Sequence, residues 1–135
     1  MSSAPNPVAG MAPLLYLVPM ACVTDVGRSV EFYERLGFTV TNTLESDGVT
    51  RWAWVKNGRA YLMLTQGDSP LKPGDRDVLF YLYARDVVAY HDALAAKGLK
   101  VSEITHPPYM REGEFCITDP DGYQILVGEG TEGQL

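Results

Sequence analysis

Two stretches of this chain carry one pattern. Asp25 to Val40 (DVGRSVEFYERLGFTV) and Asp86 to Val101 (DVVAYHDALAAKGLKV) each open on Asp, reach a glycine twelve positions on (Gly37, Gly98) and a valine three positions after that, at an offset of 61 residues. An alternating apolar run precedes each Asp, and runs of strand periodicity follow each valine. A strand, a helix capped by Asp and stopped by Gly, and then more strands make one folding unit. The chain is therefore expected to hold two βαβββ modules. Repeated modules bury their apolar faces against each other, so function turns on what lines the space between them.

The length of 135 residues suits a single domain with a full core, and 46% hydrophobic with 21% charged residues is ordinary for a soluble globular protein. A net charge of −6 argues against nucleic acid and against anionic membrane as partners. It is compatible with a cationic small molecule, although solubility alone also accounts for it. Cys22 and Cys116 both lie in apolar runs and are expected as buried free thiols, which suits a reducing compartment. No apolar run approaches the ~20 residues of a membrane span. The first residues lack the basic start and apolar block of a signal peptide, so a cytoplasmic location is expected.

Residues 1–13 are rich in Pro, Ala, Gly and Ser, and are expected to fray or to wrap a partner subunit. Leu14 to Val23 reads as a first strand, apolar on both faces and hence buried, with Pro19 implying an edge or a bulge. Thr24 or Asp25 caps a helix whose inner side carries Val26, Val30 and Tyr33, flanked by Ser29, Phe32 and Leu36. Strands are expected over Phe38 to Glu45, Thr50 to Lys56 and Arg59 to Gln66, joined by a turn at Ser46-Asp47-Gly48 and a type I′ turn at Asn57-Gly58. A linker, Gly67 to Asp77, leads to a second module with strands at Val78 to Ala84, Leu99 to Thr105, Met110 to Thr118 and Tyr123 to Glu129. Its helix turns Val87, Tyr90, His91 and Leu94 inward, Asp119-Pro120-Asp121-Gly122 reads as a turn, and residues 130–135 form a polar tail.

The stretches FYERLGF (Phe32 to Phe38) and DPDGYQILVGE (Asp119 to Glu129) resemble the vicinal oxygen chelate superfamily, which includes glyoxalase I, extradiol dioxygenases and bleomycin-resistance proteins. The resemblance runs from Leu14 to Glu129 and implies an α+β fold of two βαβββ modules, their sheets curled into a cup with the helices outside. It implies one domain over residues 14–129, with module 1 at about 14–66 and module 2 at about 78–129. In the superfamily's enzymes four His and Glu side chains hold a divalent metal. The matching positions here are Val18, Met63, Leu79 and Leu126, none of which supplies an imidazole or a carboxylate. Neither His91, on a helix, nor His106, in a loop, is placed to replace them. The chain is thus most similar to the metal-free bleomycin-resistance proteins, also through Val18-Pro19-Met20 and Asp25-Val26. That likeness implies a homodimer that sequesters drug, with no cofactor and no catalytic residue.

Strand alternation then gives the expected binding face. Ala53 with Val55 and Leu62 with Leu64 suit packing against helices, which leaves Val18, Met20, Trp52, Trp54, Tyr61, Met63, Leu79, Tyr81, Tyr83 and Leu126 for the cup. Such a face fits a flat cationic ligand, although aromatic stripes more often belong to a core. Glu112 and Glu114, with Asp119 and Asp121 nearby, could supply negative charge near a cationic ligand, although solvated surface carboxylates are the plainer reading of each, and Cys116 is expected as core. The resulting expectation is a metal-independent protein that binds a small cationic aromatic drug of the bleomycin type. The alternatives are an enzyme of the same superfamily with a displaced or absent metal, and a ligand-free structural or regulatory module.

Overall fold

The computed structural model describes residues 11–12, 14–67 and 78–130. The expected arm up to residue 10, the interior of the linker and the tail after residue 130 lie outside the described residues. The order of elements is β1 (Met20–Val23), α1 (Val26–Arg35), β2 (Thr39–Ser46), β3 (Val49–Asn57), β4 (Ala60–Gln66), β5 (Phe80–Ala84), α2 (Val87–Ala96), β6 (Glu114–Thr118) and β7 (Gln124–Glu129). One sheet has the order β1-β4-β3-β2 and the other β5-β7-β6. β1 runs parallel to β4 and β5 parallel to β7, while the remaining pairs are antiparallel. Among the described residues the second sheet repeats the first without its outer strand.

The repeat extends to atoms. Asp25 accepts from the Arg28 amide at 3.1 Å and Asp86 from the Ala89 amide at 3.0 Å, each capping its helix. The last strand of each module supplies a second cap. Gln66 Oε1 accepts from the Val26 amide at 3.3 Å, and Glu129 Oε1 from the Val87 amide at 2.8 Å. Gly37 (φ 98°) and Gly98 (φ 84°) end the helices in the left-handed region that a Cβ disfavours. The two helix ends then cap each other. Arg35 Nη2 donates to the Lys97 carbonyl at 2.9 Å, and Lys97 Nζ to the Arg35 carbonyl at 3.2 Å.

The helices cover one face of each sheet, and the core lies there. Ala21, Val23, Ala53, Val55, Leu62 and Leu64 are buried in the first module with Val26, Phe32, Tyr33 and Leu36; Phe115, Ile117, Ile125 and Val127 are buried with Val87 and Leu94 in the second. The modules are joined by the 119–122 turn, whose Gly122 amide donates to the Asp119 carbonyl at 3.0 Å. Asp119 and Asp121 are only 4% exposed, so they are not the solvated carboxylates their residue type suggests. Asp121 Oδ1 accepts from the Thr24 amide and hydroxyl at 3.1 and 2.8 Å, while Tyr123 Oη donates to the Cys22 carbonyl at 2.9 Å. Polar groups this deep persist because they are paired.

Several expectations change. Leu14 to Pro19 is not strand, and Leu14, Leu15 and Leu17 are more than four-fifths exposed rather than buried. The register pairs Met20 with Met63, so residues before Leu17 run past the start of β4. Pro19 can offer only its carbonyl, which accepts from the Met63 amide at 2.9 Å. Leu99 to Thr105 forms a single bridge, Thr105 to Glu114, instead of a strand. Ser102 breaks the ladder: its carbonyl faces His91 Nε2 at 2.9 Å, and its hydroxyl, not its carbonyl, takes the Cys116 amide at 2.8 Å. Residues 110–113 form a turn, with the Gly113 amide donating to the Met110 carbonyl. The type I′ pattern belongs to Asp47-Gly48, with φ of 53° and 75°. At the other hairpin Asn57 pairs with Ala60, so the loop is Gly58-Arg59 with positive φ at Gly58 alone, the type II′ pattern. Cys22 is exposed and Cys116 half-buried, and both are free thiols but neither is core.

Candidate functional site

Burial of one sheet face under the helices leaves the opposite face open, and strand alternation decides what stands on it. In the first sheet Met20, Met63, Trp54 and Asn42 form one row across four strands, and Cys22, Thr65, Trp52 and Leu44 form the next. Tyr61 stands diagonally from Trp54. Its ring lies 6.1 Å from the indole, edge-on, and 5.4 Å from Tyr16, stacked. The second sheet has Tyr81, Leu126 and Cys116 in one row and Tyr83, Gly128 and Glu114 in the next. Tyr81 and Tyr83 stack at 5.2 Å.

These rows collect the expected residues in two patches. Met20, Trp52, Trp54, Tyr61 and Met63 share the first sheet; Tyr81, Tyr83 and Leu126 share the second. A groove of about 310 Å³ lies between the modules, lined by Leu17, Pro19 and Tyr61 of the first, by Leu79 and Tyr81 of the second, and also by core residues such as Leu62 and Ile125. Val18 lies half-buried in the extended run leading to β1, apart from both rows. Met20 is 56% exposed, Leu79 57% and Tyr83 53%. Contiguous exposed carbon surface is the general physical signature of an interaction surface.

Sequence reasoning offered Glu114 as one of four carboxylates that could lie near a cationic ligand, but not its burial or its tyrosine partners. Glu114 is buried although it points away from the core, and two tyrosines satisfy it. Tyr81 Oη donates to Oε1, and Tyr109 Oη donates to Oε2 at 2.7 Å. Those bonds to Glu114 are the main reason both phenols are held above their usual range. The available signal was alternation: Phe115 and Ile117 are core-facing, which puts Glu114 and Cys116 on the open face. Cys116 Sγ lies 3.0 Å from Gln124 Oε1, and burial pushes the thiol up, the reverse of what a nucleophile needs.

The donor set does not fit a divalent metal. Val18, Leu79 and Leu126 offer no donor atom and Met63 only a weak thioether. Among the described residues no group of three or more His, Cys, Asp or Glu side chains could hold one. No described helix is long and apolar enough to cross a membrane.

This geometry has close structural counterparts. A bleomycin-binding protein solved with bleomycin matches at a TM-score of 0.71 and 16% identity, covering 87% of this chain and all of its own. An antibiotic-binding protein from a Streptomyces species matches at 0.71 and 24% identity, covering 90% of this chain and 99% of its own. A bleomycin-binding protein from Streptomyces verticillus, solved with copper(II)-bleomycin, matches at 0.70 and 21% identity, covering 90% and 100%. At such identities the likeness shows the fold. No curated protein sequence matches the chain. The sequence profile of the Glyoxalase/Bleomycin resistance protein/Dioxygenase superfamily matches residues 15–127, and the chain belongs to that superfamily.

Proposed function

We propose that this protein is a metal-independent small-molecule binder that confers antibiotic resistance by sequestering a bleomycin-type or other cationic heteroaromatic drug. The observation that carries the reading is the open aromatic face. Regular strands hold Trp52, Trp54, Tyr61, Tyr81 and Tyr83 away from the core, with Met20, Met63 and Leu126 among them and Leu79 just before β5. Val18 completes the set at the approach to β1. Rigid aromatics of this kind stack on flat heterocycles, and a net charge of −6 draws in a cation. Solved structures of the same fold that carry bleomycin support the reading.

Residues 14–129 act as one binding unit in the cytoplasm, without a cofactor. The unit works as a homodimer, because Leu14, Leu15 and Leu17 together with the open face leave more carbon surface in water than a lone domain favours. Sedimentation tests this: a 14.9 kDa monomer at micromolar concentration contradicts the dimer. For the ligand, metal-free bleomycin and a panel of cationic heteroaromatic antibiotics are titrated while tryptophan fluorescence is followed. Quenching that weakens as salt rises is expected. Unchanged fluorescence and unchanged melting temperature at millimolar drug overturn the binding function.

A further inference from the structure

Glu114 stands apart from the other carboxylates of the fold. Asp119 and Asp121 are consumed in joining the modules, and Glu129 caps α2. Glu114 is 7% exposed, yet it lies on the open face and has no cationic side chain paired with it among the described residues. Its partners are two phenols at the solvent edge, Tyr81 at 36% exposure and Tyr109 at 67%. A carboxylate has about four acceptor positions. Two are taken, one on each oxygen, and the pair that remains matches two parallel N–H donors on a planar cation.

The floor beside it is also unusual. Gly128 is directly between Glu114 on β6 and Tyr83 on β5, so the strand between these two side chains presents no side chain of its own. The distance spanned is two strand spacings, about 10 Å. The Met110 side chain fills the gap: a Cβ placed on Gly128 would come within 2.7 Å of Met110 Cε and 3.1 Å of its Sδ. A thioether on an unbranched side chain repacks readily. The result is a slot over Gly128 that the Met110 thioether occupies, bounded by the Glu114 carboxylate with its Tyr81 partner and by Tyr83.

We propose that Glu114, clamped by Tyr81 and Tyr109, is the specificity-determining residue that takes a planar nitrogen cation (an amidinium, guanidinium or imidazolium) into the Gly128 slot as the Met110 thioether leaves it. This rests on the binding function above and names the group on the ligand that the face selects. Glu114 accepts the two N–H bonds, and the Tyr81–Tyr83 stack meets the cation's flat side, where ring quadrupoles favour positive charge. A neutral ligand of the same shape gains the stacking but not the charged hydrogen bonds.

Benzamidine and benzamide test the assignment, since both are flat and similar in size and only the first is cationic. Each is titrated into the whole protein, with the Met110 methyl resonance as the local reporter and metal-free bleomycin as a separate ligand. The wild type is expected to bind benzamidine about tenfold or more tightly over benzamide, the scale of hydrogen bonds to a charged group. The Met110 signal should move with benzamidine. Glu114→Gln keeps the shape and an acceptor for one of the two phenols, and should abolish the preference; its melting temperature, measured alongside, separates loss of the charge from loss of the fold. Equal binding of the two fragments by the wild type, a measurement that needs no variant, overturns the assignment, as does a preference that survives Glu114→Gln. If bleomycin binds and the fragments are not distinguished, the Glu114 assignment alone falls. If neither bleomycin nor either fragment binds, the binding function falls and takes this assignment with it.

Discussion

Tyr33 Oη donates to Asp119 Oδ2 at 2.8 Å, a bond between α1 of the first module and the turn that opens the last strand of the second. Asp119 Oδ1 meanwhile accepts from the amides of Asp121 and Tyr123, both at 2.9 Å. One buried carboxylate therefore shapes its own turn and fixes the other module's helix against it. Burial is the largest influence on both side chains. It drives the Tyr33 phenol far above its usual range, helped by the Asp119 charge, and it raises Asp119 despite three hydrogen bonds.

Tyr33→Phe should lower stability at neutral pH by about 1.5–3 kcal/mol, the range for a hydrogen bond to a charged group. An alkaline effect accompanies it. The folded state holds the Tyr33 phenol protonated, so its contribution is complete below the unfolded pKa of about 10 and is lost as pH rises beyond that. Tyr90, pushed up to about 12 by burial, adds to the same loss. Melting curves from pH 8 to about pH 11 should fall for the wild type and fall less steeply for Tyr33→Phe. Parallel slopes would contradict the linkage.

Asp119→Asn separates charge from shape, because the amide oxygen can still accept both backbone bonds. The folded pKa of Asp119 is raised, so its stabilising share is complete below the unfolded value of about 3.9 and is lost as pH rises through the folded value. The stability of the wild type relative to Asp119→Asn should therefore improve on going from pH 7 to about pH 4. Denaturant unfolding of both proteins at the two pH values measures it. A difference that stays constant or moves the other way would show that the hydrogen bonds outweigh burial.

Gly113→Ala should destabilise more than an ordinary loop substitution. Gly113 has φ of 114°, where side chains are strained, and an added Cβ would lie 2.8 Å from Ile104 Cγ2. Backbone strain of about 1–3 kcal/mol combines with that clash. Thermal unfolding against the wild type gives the value, and a loss under about 0.5 kcal/mol, the usual size of a surface substitution, would contradict the argument.

The repeat made the architecture legible because each signal was local. Asp25 and Asp86 cap, Gly37 and Gly98 stop, and the alternation from Trp52 to Val55 sorts the faces as it should. The failures share a cause, which is dependence on distant partners. Nothing near Leu14 in sequence reveals that β4 begins too late to pair with it. Ser102 ends a ladder where His91 of α2 faces its carbonyl and its hydroxyl takes the Cys116 amide. Asp119 and Asp121 look solvated in a Pro-Asp-Gly turn until the first module closes over them. Glu114 is buried with a partner, Tyr81, that is 33 positions away in the chain. The apolar part of the candidate face was readable from period-two patterning; of its charged part the residue could be named, but not its burial.

Trp54→Ala and Leu64→Ala should separate binding from folding. Leu64 is fully buried on the core face of β4, and its truncation should cost about 2–5 kcal/mol of stability. Trp54 stands on the opposite face, half-buried, with Met63 across the strand and the Tyr61 ring 6.1 Å away. Trp54 is covered only in part, whereas Leu64 is wholly enclosed, so Trp54→Ala should lower stability less than Leu64→Ala. Its effect on a stacked drug should be larger than on the fold, about 1 kcal/mol beyond the area lost, as for other paired aromatics. Trp52, one row further on beside Thr65 and Leu44, should behave in the same way. Urea unfolding and drug titration of the variants give both quantities. If Trp54→Ala unfolds as readily as Leu64→Ala while binding metal-free bleomycin like the wild type, the indole is a structural element and the open face is not where the drug lies.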